Sequence, residues 1–174
     1  MNLTDLEAIT EQAIRGCFAQ LKSRQPESKL IAFGLYCDSN CSSLAPSANS
    51  NEHLNSLIEE DPQDSTYYKW SPREWAFEGE GSEYFQEISE QMTENLNKAV
   101  SATLLNQHKL DVARMAVNAL KRVKDSGFFN ELGIRPIIAF SIIDFEDSAT
   151  EKSWIKNLNT EIEFLEFERW INQL

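Results

Sequence analysis

The side chains that could attack a substrate, shuttle a proton or hold a metal are few in this sequence. There are two histidines, His53 and His108. Each lies in a polar helical or helix-flanking context without a partner nucleophile at a recognisable spacing, so a Ser/His or Cys/His mechanism is not expected. Cys37, Cys41 and His53 could offer three metal ligands. The spacing lacks a paired Cys-x-x-Cys knuckle and no fourth ligand is evident, so neither a metal nor another cofactor is expected. Cys37 reads as the close of a strand and Cys41 as a bystander in a loop. The glycines are scattered, at Gly16, Gly34, Gly79, Gly81, Gly127 and Gly133, and form no phosphate-binding loop. Carboxylates are so abundant that no chosen pair singles out acid–base work. Trp70 and Trp75 could line a pocket, although two tryptophans around a turn also suit the task of pinning a core.

These residues must be positioned by elements that the apolar spacing predicts. Thr4-Asp5-Leu6-Glu7 has the form of a capping box, and Leu6, Ile9, Ala13, Cys17 and Leu21 follow at helical spacing to about Ser23. Lys29–Cys37 is a run of strand formers between Pro26 and Asp38-Ser39-Asn40. The stretch Asp38–Ser50 reads mostly as loop, with Asn49 capping a short helix through Ile58. Thr66–Trp70 alternates weakly and is aromatic, predicting a second strand. Ser71-Pro72-Arg73-Glu74 then predicts a capped helical turn with proline at its first position. After Gly79 and Gly81, Phe85, Ile88, Met92, Leu96, Val100 and Leu104 form one amphipathic stripe. Leu110, Ala113, Val117, Leu120 and Val123 form another, ending near Gly127, and the two predict a helical hairpin. Ile134–Phe145 is the second strong strand. Ser148-Ala149-Thr150-Glu151 opens a last helix carrying Trp154, Leu158, Ile162, Leu165 and Trp170. The expected architecture is one α+β domain over residues 1–174, a small, mainly antiparallel sheet covered by amphipathic helices.

Charge narrows the classes of partner. The chain has 28 acidic and 16 basic residues, a formal net charge of −12, which repels nucleic-acid phosphates and anionic lipid and attracts basic surfaces. The acidity is unevenly spread. From Asp38 to Thr66 there are six acids and no Lys or Arg, and from Glu74 to Asn97 seven acids and again none. Lys109 to Arg135 holds six bases and three acids. Met1–Glu11, with three acids and no base, is unlike a signal peptide. The apolar runs Leu30–Cys37 and Pro136–Ile143 are too short to span a bilayer. Three cysteines in a chain this long suit thiols in a reducing compartment, so a cytoplasmic location is expected.

An ordered series of residues carries a resemblance: Tyr36 with Asp38, then Pro46 and Asn49 ahead of Glu52, then Tyr68-Lys69-Trp70-Ser71-Pro72 with Glu74-Trp75. It continues through Gly127-Phe128-Phe129, Asp144, Ser153 and Leu158-Asn159. The series resembles a bacterial domain-of-unknown-function family, the one numbered 4303, from about Ile31 to Asn159, and Trp-Ser-Pro-x-Glu-Trp is its most specific part. The resemblance implies a small cytoplasmic protein of the kind encoded among polymorphic toxin and immunity loci, and hence a toxin-neutralising immunity protein.

The expected function is therefore binding to a protein partner, a basic toxin domain encoded nearby, with no enzymatic activity, no nucleic acid and no membrane. Glu59, Glu60, Asp61, Asp64, Glu78, Glu80 and Glu83 lie in or beside expected loops and are the contact candidates. The turn at Trp70, Glu74 and Trp75 is the second place for a contact. Two other classes remain: an enzyme with a pocket around Trp70, Glu74 and Trp75, and a scaffold or sensor domain.

Overall fold

The computed structural model describes residues 3–173, with side chains from Asp5 onward; the first helix already includes Leu3, so Thr4 is a helical residue and not the cap that its spacing suggested. Leu3–Arg24 forms helix α1, Leu30–Cys37 strand β1 and Leu44–Ser50 strand β2. The helices α2 (Asn51–Glu60) and α3 (Ser65–Trp70) follow, then α4 (Gln86–Leu96), α5 (Ala102–Asp125) and the short α6 (Phe128–Glu131). Strand β3 (Ile137–Ile142) and helices α7 (Ser148–Leu158) and α8 (Glu161–Ile171) complete the order. This is an α+β fold. Among the described residues no helix is long and apolar enough to cross a membrane.

The three strands form one sheet in the order β2-β1-β3. The loop 38–43 joins β1 directly to β2, and so short a connection forces the pair antiparallel. β3 returns only after the helices α2 to α6 and lies parallel to β1, with Cys37 beside Ile142. The sheet is thus mixed, with one antiparallel and one parallel ladder. Both long apolar runs are strands of it, as their composition predicts.

Strand alternation sorts large and small side chains onto opposite faces. Phe33, Leu35 and Cys37 of β1, with Ile138, Phe140 and Ile142 of β3, face a core shared with α1 and α5. There Phe18 meets Phe33 edge-on at 5.3 Å and Phe129 at 4.9 Å. The opposite face carries Ala32 and Ala139, covered by Trp70, Trp75, Ile155 and Phe167. Gly34 lies between them for a steric reason. A Cβ there would stand 2.7 Å from the Ala139 carbonyl oxygen and 3.1 Å from the Trp75 ring.

The sheet edges are closed without further strands. Phe77 and Gly79 donate their amides to Ala48 and Pro46 carbonyls of β2, at 3.0 and 2.9 Å. On the far side, the Asn159 carboxamide accepts from the Ile138 amide at 2.9 Å and donates to the Ile138 carbonyl at 2.7 Å.

Several local expectations are corrected. Leu44–Ser50 is a strand where loop was expected: its small polar residues carry no strand pattern of their own, and pairing along β1 imposes the conformation. Thr66–Trp70 is helical, because one helical face sets Trp70 against Phe167 of α8 at 5.3 Å, which a strand could not do while Tyr67 reaches Trp170. The cap of α2 is Ser50, whose hydroxyl accepts from the His53 amide at 3.2 Å; Asn49 is the last inward residue of β2 and accepts from Ala76 instead. The stripe Phe85–Leu104 is broken: α4 ends at Leu96, Val100 is 87% exposed, and Ser101 caps α5. Gly127, at φ +82°, follows the end of α5 as its spacing predicts. The last helix is two, because Asn159 leaves the helix to seal β3 and Thr160 opens α8 with a capping box to Glu163. Asp147, not Ser148, caps α7.

Candidate functional site

Trp70 and Trp75 are both 3% exposed and belong to the packing against the small-residue face of the sheet. The Trp75 indole donates to the Tyr68 carbonyl at 3.2 Å. The turn between them is a single 3-10 turn, Pro72–Glu74, and the predicted capping box is absent. Ser71 makes no side-chain cap; its backbone carbonyl receives the Glu74 amide at 3.0 Å, which leaves the hydroxyl no donor to satisfy. The Glu74 carboxylate turns the other way and accepts from the Tyr67 hydroxyl at 2.9 Å.

The acidic candidates fall into separate groups. Glu60, Asp61, Asp64 and Glu74 surround Tyr68, whose hydroxyl pKa is raised by desolvation first and by these carboxylates next. Glu59, Glu60 and Asp64 are exposed, and among the described residues none of them is ion-paired. Asp61 accepts from the Gln63 amide. Glu78 accepts from the Tyr36 hydroxyl. Glu80 and Glu83 lie elsewhere, against α1, where Glu80 stands 3.9 Å from Arg24 and Glu83 accepts from Gln20 at 2.9 Å.

Neither histidine meets a nucleophile. His53 Nε2 lies 2.9 Å from the Glu74 carbonyl oxygen, and His108 Nε2 lies 2.9 Å from that of Cys41. Cys41 is in a loop, as expected, but is fully buried at φ +55° and is packed in the core. Burial, followed by contact with Cys41, pushes the Cys37 thiol well above its ordinary range, so Cys37 is not an activated thiolate.

A cleft of about 490 Å³ opens where β3 ends. Its aromatic wall is Tyr67, Trp70, Phe167 and Trp170, contributed by α3 and α8. Ser141 and Ile142 of β3 line it, and Asp144, Glu146, Glu151 and Arg73 bring the charges. Asp144 has φ +56°, a conformation that a short polar side chain tolerates and that turns the chain abruptly from β3 towards α7. Glu151 sits in the first turn of α7. Burial, and then the neighbouring Asp147, push its carboxyl up to about 7. The Trp70 indole Nε1 is buried with no hydrogen-bond partner among the described residues. Of the expected pocket around Trp70, Glu74 and Trp75, only Trp70 lines this cleft.

Arg73, Asp144, Glu151, Phe167 and Trp170 were not singled out as site residues from sequence. Trp170 and Phe167 lie on an ordinary apolar helix stripe, and nothing local indicates that α8 folds back onto α3. The one available signal was Asp144, a polar residue at the end of a strong strand.

No curated protein and no solved structure matches the chain. Residues 10–160 match the family model described as Domain of unknown function (DUF4303). The match includes the Trp-Ser-Pro-x-Glu-Trp turn and both β1 and β3, and the chain belongs to that family.

Proposed function

We propose that this chain is a binding protein that neutralises a basic toxin domain by direct contact, in the manner of an immunity protein. The observation that carries the reading is the strip at the end of α2. Glu59, Glu60 and Asp64 project there without ion-pair partners among the described residues, within a stretch from Asp38 to Thr66 that contains no Lys or Arg. Unpaired surface carboxylates steer a cationic partner, and no internal ion pair has to break before they can meet it. The family resemblance to proteins of toxin and immunity loci points the same way.

The test is co-expression with the product of the neighbouring reading frame, followed by association kinetics. If the neighbour is toxic and this chain rescues growth, reversing Glu59, Glu60, Asp61 and Asp64 to Lys should slow association about tenfold or more at low salt and flatten its salt dependence. Association as fast as the parent's at low ionic strength would rule out steering from this strip.

An enzymatic reading has one observation in its favour: Glu151, with its carboxyl held near neutrality in a cleft, has the acidity a general acid needs. Turnover lost in Glu151→Gln with any small substrate would favour that reading over the binding one.

A further inference from the structure

We propose that the cleft at the end of β3 receives one arginine side chain of the basic protein partner, its guanidinium stacked on the aromatic wall and paired with the carboxylates at the rim. The inference rests on the binding function proposed above and names where the partner is gripped.

The wall is continuous. Tyr67 and Trp170 have ring centroids 6.3 Å apart, Phe167 and Trp170 5.5 Å, and Trp70 and Phe167 5.3 Å. Tyr67 is 37% exposed and Trp170 half-buried, so their faces remain available to an incoming group. Aromatic faces carry negative potential and attract a cation, and a planar guanidinium can stack on them as well. The rim agrees in sign. Asp144, Glu146 and Glu151 line the cleft against the single base Arg73, and Asp147 stands beside Glu151 just outside. A cation seated among these groups offsets their repulsion.

The molecule already makes this pairing with its own residues on the adjoining surface. The Lys69 ammonium lies 5.9 Å from the Trp70 ring centroid while bonding both carboxylate oxygens of Glu166, at 2.8 and 2.6 Å. Across α7 and α8, Lys156 lies 4.9 Å from the centre of the Phe164 ring. Away from Trp70, the cleft offers the same two components in the Tyr67 and Trp170 rings and the rim carboxylates, and no lysine is among its lining residues. One further feature fits a bound cation: beside Glu151 it would lower that residue's raised pKa, so binding would release a proton near neutral pH.

The experiment titrates the full chain with N-acetyl-arginine amide and with N-acetyl-citrulline amide, its neutral isostere, following tryptophan fluorescence. The arginine amide should bind about tenfold more tightly than the citrulline amide, and more tightly at pH 8 than at pH 6. Trp170→Ala should weaken it about fivefold, and Glu151→Gln should do the same while abolishing the pH dependence. Glu151→Gln keeps the shape of a half-buried side chain, so the test stands even where Trp170→Ala unfolds. Equal binding of the two amides, or an arginine affinity untouched by Glu151→Gln, would overturn the proposal. A neighbouring toxin that binds while the arginine amide does not rejects the cleft alone, whereas amide binding without toxin binding rejects the immunity reading and the arginine's proposed source together.

Discussion

β1 and β3 run side by side in the same direction and end level with each other, Cys37 beside Ile142, yet the turns that follow them are opposites. After β1, one carboxylate is saturated. Asp38 accepts from the amides of Asn40, Ser42 and Ser43 and from the hydroxyls of Ser42 and Ser43. Burial alone would raise its pKa, but the Ser43, Ser42 and Asn40 donors outweigh it and hold the carboxyl down at about 2. After β3, Glu151 faces the cleft without comparable donors among the described residues, and burial followed by Asp147 takes it up to about 7. Both turns contain a non-glycine residue of positive φ, Cys41 in one and Asp144 in the other. The same topological position is therefore closed in one strand and open in the next. The difference lies in whether the turn brings its own donors, as Asp38-Ser39-Asn40-Cys41-Ser42-Ser43 does.

Removing the platform common to both turns should have the largest effect. Phe140 is buried in β3 with its ring 5.0 Å from Trp154, and Phe140→Asp would place an unpaired charge there. The expected cost is about 4 kcal/mol or more, visible as loss of the cooperative unfolding transition in circular dichroism. A folded variant with a normal melt would mean that the two strand ends do not share a core.

Breaking the closed turn alone should cost less. Asp38→Ala strands three amides and two hydroxyls, but the site is partly open to water that can replace the lost acceptor. A destabilisation of about 2 kcal/mol is expected in urea unfolding. A midpoint shift no larger than that of a typical surface substitution would show that Asp38 decorates the turn and does not lock it.

The third effect, and the sharpest on the comparison, is in pH dependence. The Glu151 pKa is raised on folding from the ordinary 4.5 to about 7. The stability it lends is whole below about pH 4.5 and is lost as pH rises through about 7. Asp38 has the reverse sign: its contribution is present above pH 3.8 and is lost as pH falls through about 2. Melting temperatures of the parent and Glu151→Gln should separate progressively between pH 5 and pH 8, with the parent the less stable at the alkaline end. Parallel curves across that range would place Glu151 in ordinary solvent.

What could be seen in the sequence and what could not follow from how local each signal is. Leu30–Cys37 and Ile137–Ile142 announce themselves because burial on both faces makes a strand apolar along its whole length. Leu44–Ser50 does not, since Ala45, Ser47 and Asn49 face the small-residue side of the sheet, and Pro46 looks like a breaker until it is known to lie on an edge. Tyr67, Tyr68 and Trp70 suggested a strand by aromatic content, and the contact with Phe167 that decides for a helix spans most of the chain. The cleft was hidden for the same reason. Tyr67, Asp144, Glu151 and Trp170 come from four separate segments, and no spacing along the chain relates them. The acidic strip, by contrast, needed only charge counting, because Glu59, Glu60, Asp61 and Asp64 are neighbours in sequence.

The carboxamide of Asn159 covers part of one rim of the sheet with a single side chain. A sheet with one inner strand has two rims, and an uncovered rim is a template on which another copy can zip itself up. By satisfying both backbone groups of Ile138, Asn159 does for that one residue of β3 what an additional strand would do, at the spot where the chain passes between α7 and α8. Conversion of that amide to an acid, as happens slowly to asparagine with age, would put an acceptor where a donor is required and repel the Ile138 carbonyl. That stretch of the rim would then lose its cover through the chemistry of a single side chain, with the rest of the fold intact.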